Sequence, residues 1–166
     1  RDVQKISTCQ TDAFDSKDFG GMGYMVDGVP YFYNDSVKCH TTETEFDVSS
    51  LKELPKVGVA YFTIDADPEI LDYYKESGVQ GIVIAGAGSG CYSEQWNNKI
   101  DELAETGIPV VRCSRIGSCV ITQDDYFIGN IARGNDLAPQ KAATLLRLIL
   151  TVTNDIEQVQ NMFDKY

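Results

Sequence analysis

An α/β fold is what this sequence predicts, with a parallel sheet of about four strands flanked by helices over residues 56–166. Three observations carry that reading. β-rich runs alternate with helix-patterned segments from Lys56 onward, one of those runs (81–85, GIVIA) is continuously apolar, and the first helical segment opens on Asp67-Pro68 and closes on Gly78. A strand that is apolar at every position must be covered on both faces, which is the situation of a parallel sheet between two helical layers.

Taken in order, residues 57–62 read as the first strand. Asp67 is placed to cap a helix starting at Pro68, with Ile70, Leu71 and Tyr74 on one face and Gly78 at its end. Residues 81–85 form the second strand. The helix after it carries Trp96, Ile100, Leu103 and Ala104 on one side and stops before Gly107. Residues 109–112 begin a third strand and 126–131 a fourth. Helices over 139–152 and 154–166 close the chain, the last with Ile156, Val159, Met162 and Phe163 as its apolar set.

Upstream, residues 1–32 read as short strands and turns punctuated by Gly20, Gly21, Gly23 and Gly28, the end of something larger. Residues 33–55 are polar and finish at Pro55, which suits an extended linker between that piece and the domain at 56–166. The opening Arg1-Asp2-Val3 has no initiator Met and no signal-peptide pattern, as expected of a maturation site or of the edge of a fragment.

Composition narrows the partners. Lys plus Arg number 14 against 25 Asp plus Glu, a net charge of -11 that repels phosphate backbones and anionic membranes, so no nucleic acid is expected. The most apolar run, 142–152, contains Thr144 and Arg147 and falls short of the ~20 residues that membrane insertion requires. Five cysteines, Cys9, Cys39, Cys91, Cys113 and Cys119, lack CxxC spacing and predict no metal site. Cys113 and Cys119 could close a small disulfide loop, and ordinary buried thiols explain the count equally well.

Ligands of parallel sheets bind beyond the carboxyl ends of the strands, which directs attention to residues 63–67, 86–92 and 113–125. The run Gly86-Ala87-Gly88-Ser89-Gly90-Cys91 has the strand-to-helix setting of a dinucleotide turn, but Cys91 stands where the third glycine belongs; its plainer reading is a tight turn. Lys5, by composition, is a solvated lysine, and His40, the single histidine, has no triad pattern around it and reads as structural. Asp124 and Asp125 could hold a substrate amine or simply face water.

Several stretches together, FDVSSLKELPKVGVAY, GVQGIVIAGAGSG, VVRCSR, ITQDD, LAPQKAATLLRLILT and TNDIEQVQNMF, resemble the bacterial type II L-asparaginases in the same order. The resemblance covers nearly the whole chain and matches the C-terminal half of that family. It implies that residues 1–32 are the tail of a larger α/β N-terminal domain and 56–166 the C-terminal domain. It also implies hydrolysis of L-asparagine, in some members of glutamine, to the acid and ammonia, with no cofactor.

The family's DVTK motif matches Asp2-Val3-Gln4-Lys5, which makes Lys5 the implied proton-relay residue. The nucleophilic threonine and the Thr-Asp pair that works with the lysine belong to an N-terminal half, implied as a partner. Members form tetramers, each site completed by a neighbouring subunit. Ser89, Cys91 and Tyr126 fall at those substrate-facing positions, with Cys91 where many members have Asn and Tyr126 where many have Glu. A phenol cannot supply the carboxylate that would hold a substrate ammonium. The resemblance further implies export, to the periplasm or the medium. A non-catalytic relative that keeps the fold as a structural or binding protein is the alternative.

Overall fold

In a computed structural model of the chain, residues 1–127 and 129–166 are described. The chain divides into two compact units, Arg1–Thr44 and Glu45–Tyr166.

The first unit consists of two antiparallel pairs. Strand β1 (Gln4–Lys5) pairs with β2 (Phe14–Asp15), and β3 (Gly23–Val26) with β4 (Val29–Phe32). The β3–β4 connection is the dipeptide Asp27-Gly28, with φ of 50° and 80°. Two successive positive φ values mark a type I′ turn, whose twist matches that of the strands it joins, and Asp-Gly is among its favoured sequences. Asp2 anchors the β1–β2 pair, one carboxylate oxygen accepting from the Ser16 hydroxyl at 2.8 Å and the Asp18 amide at 3.1 Å. Between residues 33 and 56 the regular structure is one 3-10 turn, Thr41–Glu43.

The second unit is built on a four-stranded parallel sheet in the order β5 (Val57–Tyr61), β6 (Gly81–Gly86), β7 (Val110–Ser114) and β8 (Ala132–Arg133). Helices α1 (Ile70–Glu76) and α2 (Glu94–Glu105) cover one face, α3 (Pro139–Ile149) and α4 (Ile156–Lys165) the other. All six residues of β6 are buried, as its continuous apolar run requires. Their side chains alternate between layers: Ile82 and Ile84 join Leu71, Trp96 and Ile100, while Val83 joins Leu146, Val159 and Phe163. Each such fully buried aliphatic side chain contributes about 1.5–3 kcal/mol relative to exposure.

Helix boundaries follow from local chemistry. Ser93 accepts from the Trp96 amide to cap α2, and Asp155 accepts from the Gln158 amide at 2.9 Å to cap α4. Pro139 opens α3, where its missing N–H costs nothing. The segments after α1 and α2 turn at Gly78 and Gly107, with φ of 73° and 82°, values an L side chain rarely adopts.

Four expectations are corrected. The fourth strand is Ala132–Arg133 rather than 126–131, because Asp124 accepts the Tyr126 amide through its side chain and the Phe127 amide through its carbonyl, winding 125–127 into a 3-10 turn; Ile128, also in that expected strand, lies outside the described residues. The α-helix starts at Ile70 rather than Pro68, because the turn before it is wound by i to i+3 bonds, Ile70 and Leu71 donating to the Asp67 and Pro68 carbonyls; Asp67 still accepts the Glu69 amide at 3.0 Å, as a cap does. Ile70 is 42% exposed, leaving Leu71 and Tyr74 to face the core. Finally, Cys113 and Cys119 are both free, and Cys9 and Cys91 are exposed rather than ordinary buried thiols.

Three measurements test this packing. Asp155→Ala removes the α4 cap and is expected to cost about 1 kcal/mol, read as a lower urea midpoint with unchanged slope. Burial pushes the Cys113 thiol from 9.0 up to about 12. Above pH 9.0 the unfolded thiol ionises while the folded one keeps its proton, so this contribution to stability is intact below pH 9.0 and lost as pH rises toward about 12. Ellman's reagent at pH 8 should therefore leave Cys113 unlabelled until the chain unfolds, and alkaline destabilisation should diminish in Cys113→Ala.

Candidate functional site

The carboxyl ends of β5, β6 and β7 deliver three loops to one end of the sheet, and side chains of Ser114 in β7, Arg115 just after it and Trp96 in α2 tie them together. Arg115 donates from Nη1 to the Phe62 carbonyl at 2.6 Å, and the Trp96 indole donates to the Ala66 carbonyl at 2.7 Å, fixing the loop after β5. Ser114 donates from its hydroxyl to the Gly88 carbonyl at 2.5 Å, and the Arg115 amide donates to the Gly86 carbonyl at 2.8 Å, fixing the loop after β6.

The glycine-rich run is a tight turn closed on itself. Ala87 and Cys91 exchange amide-to-carbonyl bonds of 2.8 and 2.7 Å. Gly88 and Gly90 have φ of 51° and 84°, and a Cβ on Gly86 would lie 2.3 Å from the Gly90 carbonyl carbon. Gly86 is required by this self-approach of backbone, and Gly88 and Gly90 by their left-handed φ, so phosphate binding is not needed to account for them. Ser89 and Cys91 stand exposed on the rim of the turn.

Beneath the rim lies Arg112, 3% exposed, in the middle of β7. It shares the α1/α2 side of the sheet with Val110, while Val111 and Cys113 face α3 and α4. Its Nη1 donates to the Ser89 carbonyl at 3.1 Å and its Nη2 to the Thr122 carbonyl at 2.7 Å. The guanidinium carbon sits 4.1 Å from the centroid of the Phe127 ring. Burial pulls the guanidinium below its usual pKa, with the nearby Tyr92 acting in the other direction. Tyr92 meets the same Phe127 ring edge-on at 4.8 Å, and burial pushes its phenol upward. The Arg112 Nε and the Tyr92 hydroxyl are both buried without a hydrogen-bond partner among the described residues.

Tyr126 rests edge-on against Phe127 at 4.8 Å and is 52% exposed. Asp124 and Asp125 are exposed; Asp124 is spent on the turn, accepting the Tyr126 amide at 2.9 Å. A cavity of about 210 Å³ opens beside the cluster between Arg112, Asp124, Phe127 and Arg133. A larger space, about 470 Å³, lies at the opposite end of the sheet among Val79, Gly107 and Thr153, far from the loops that parallel sheets use for ligands.

Lys5 belongs to the first unit. It is exposed in β1, with its ammonium 6.0 Å from the centroid of the Phe14 ring on the paired strand. His40 is exposed, 3.3 Å from the Thr41 hydroxyl. Of the site residues expected from sequence, Ser89, Cys91 and Tyr126 share the loop end of the second unit, joined through Arg112, Phe127 and Tyr92. Sequence reasoning passed over Arg112. Its signal was a single charge in a strand, VVRCS, that is otherwise apolar or small.

Among the described residues no group of three His, Cys, Asp or Glu side chains could hold a metal ion. No described helix is long and apolar enough to cross a membrane.

Comparison with known proteins gives this geometry its setting. A family model described as the glutaminase/asparaginase C-terminal domain matches residues 56–163. L-asparaginase 2 of Bacillus subtilis is 38% identical over all of this chain and 44% of its own length, and L-asparaginase 2 of Escherichia coli 39% identical over all of this chain and 49% of its own. The crystal structure of a probable cytoplasmic L-asparaginase from Campylobacter jejuni superposes with a TM-score of 0.93 at 39% identity, covering all of this chain and 55% of that one. The chain thus spans about half the length of the curated relatives it matches. With the family model matching residues 56–163, the chain belongs to the glutaminase/asparaginase family through its C-terminal domain.

Proposed function

We propose that this chain is the C-terminal part of an amidohydrolase that converts L-asparagine to L-aspartate and ammonia, with glutamine as a second possible substrate. The observation that carries the reading is the match of this whole chain to about half the length of two L-asparaginases, together with loops after β6 and β7 that bear Ser89, Cys91 and Tyr126 and are joined through Arg112 and Phe127. In this reading residues 1–32 complete an N-terminal domain, 33–55 link the two domains, and 56–166 form the C-terminal domain. A preceding N-terminal portion supplies the threonine nucleophile.

The reaction adds one water across the side-chain amide. The threonine oxygen bonds to the amide carbon, the nitrogen leaves as ammonia after taking a proton, and water then releases the acid and restores the hydroxyl. Lys5 relays the proton that leaves the nucleophile. No residue of this chain other than Lys5 is assigned to proton transfer; Ser89, Cys91 and Tyr126 bind substrate in the site of a neighbouring subunit, within a tetramer. The exported location implied by resemblance belongs to the same proposal, although a solved relative is named cytoplasmic.

Tyr126 favours a second reading. A phenol at the position of a substrate-binding carboxylate removes the charge that would pair with the substrate ammonium, which suits a relative that keeps the fold as a binding or structural protein.

Ammonia release from asparagine by this chain combined with its N-terminal portion decides between them. Activity is expected in the complex and none from this chain alone; an assembled, folded complex that releases no ammonia from asparagine or glutamine would establish the second reading. In an active complex, Lys5→Met should lower kcat by about 100-fold or more, the usual contribution of a positioned acid–base group. Tyr126→Glu should lower KM for asparagine by roughly tenfold, since a hydrogen bond to a charged group contributes about 1.5–3 kcal/mol.

A further inference from the structure

Arg112 is a buried cation without a carboxylate at ion-pair distance among the described residues. Taking a guanidinium out of water is costly, and two neutral carbonyls, one aromatic face and the Asp124 carboxylate beyond ion-pair distance offset that only in part. A methionine or leucine would fill the same volume at lower cost. The position makes sense through what the two carbonyls belong to. Ser89 lies two residues before Cys91, in the turn after β6. Thr122 lies four before Tyr126, in the loop after β7. Arg112 is the one side chain in the described residues that hydrogen-bonds both segments.

The aromatic contacts extend the link on both sides. Phe127 covers the guanidinium at 4.1 Å, touches Tyr126 at 4.8 Å and touches Tyr92 at 4.8 Å. Tyr92 is the residue next to Cys91. A movement of either loop therefore disturbs a hydrogen bond to Arg112 and a ring contact with Phe127 together. A lysine at 112 could not reproduce this, because its single ammonium lacks the planar fork that reaches two acceptors in fixed directions.

The geometry points to Arg112 as the positioning residue of this site: one guanidinium holds the Ser89–Cys91 turn and the Thr122–Tyr126 loop in register, so that the two substrate-facing edges act as a unit. This rests on the proposed reading that Cys91 and Tyr126 face substrate. Arg112 itself is buried beneath them, at the wall of the cavity of about 210 Å³, and the role assigned to it is to hold the two loops.

The test uses the assembled complex for kinetics and this chain for amide hydrogen exchange. In Arg112→Met, KM for asparagine should rise by roughly tenfold or more while kcat stays within about threefold, because contacts made equally in ground and transition states are lost. Exchange should quicken in residues 87–91 and 122–127 together, with α4 unchanged. Arg112→Lys should restore protection to one of the two segments at most. If Arg112→Met does not fold, Phe127→Leu keeps the guanidinium and removes its cover, with faster exchange at 122–127 and a KM increase of roughly threefold expected. Unchanged exchange in either segment of Arg112→Met, full recovery by Arg112→Lys, or an unchanged KM beside loosened loops would overturn the assignment. For Phe127→Leu, unchanged exchange at 122–127 or an unchanged KM would do the same. A parent complex that releases no ammonia overturns the proposed function instead, and the exchange comparison then decides the role of Arg112 by itself.

Discussion

Complete burial of β6 is the constraint from which the rest of the second unit follows. A strand with no solvent-facing residue needs a strand on each edge and a helical layer on each face, and β5, β7, α1–α2 and α3–α4 supply them. Parallel neighbours then force long crossovers, and the crossovers leave every strand-to-helix loop at the same end of the sheet. The site's location is in this sense a consequence of core packing. Gly81 belongs to the same constraint: an added Cβ would sit 2.9 Å from a methyl of Leu146, so the start of the strand has room for backbone only against α3.

The change from apolar to polar along β7 has a physical reason. Val110 and Val111 fill the two core layers near the start of the strand, whereas Arg112 and Ser114 turn their donors toward carbonyls of the loops above. Loop carbonyls at the end of a sheet cannot all enter regular ladders, and buried ones must find donors. Side chains from the last residues of the strand meet that need without requiring the loops to be helical or extended. The interactions are side chain to backbone, so they fix loop position without engaging the side chains of Ser89, Cys91 and Tyr126.

Much of this was legible in the sequence, and the failures have identifiable causes. GIVIA announced a doubly covered strand, and the Trp96, Ile100, Leu103, Ala104 set announced the buried face of α2, because both depend on periodicity alone. The fourth strand was misplaced since the pattern of 126–131 is ambiguous by itself; what decides it is the side-chain turn of Asp124, a local competition that hydrophobic spacing does not register. Arg112 went unremarked for a different reason. Its function depends on carbonyls 10 and 23 residues away in sequence, and no spacing rule announces a donor whose acceptors are backbone atoms.

The two units differ in how much of their own surface they bury, and that difference bears on where chemistry can sit. The second unit has two apolar clusters and a sheet of its own. The first has exposed Tyr24, Met25, Val29, Tyr31 and Phe32 on both faces of the β3–β4 pair, and cross-strand partners such as Tyr24 and Tyr31 lie on one face while Met25 and Phe32 lie on the other. A two-stranded ribbon with apolar residues on each side is marginal in water by itself, and contiguous apolar area of this kind is normally covered by further protein. Lys5 is carried by this dependent unit, and Ser89, Cys91 and Tyr126 by the self-sufficient one. Under the proposed function, the proton-transfer group is then the part whose placement relies on a partner, whereas the substrate-facing rim is already formed by the sheet that bears it.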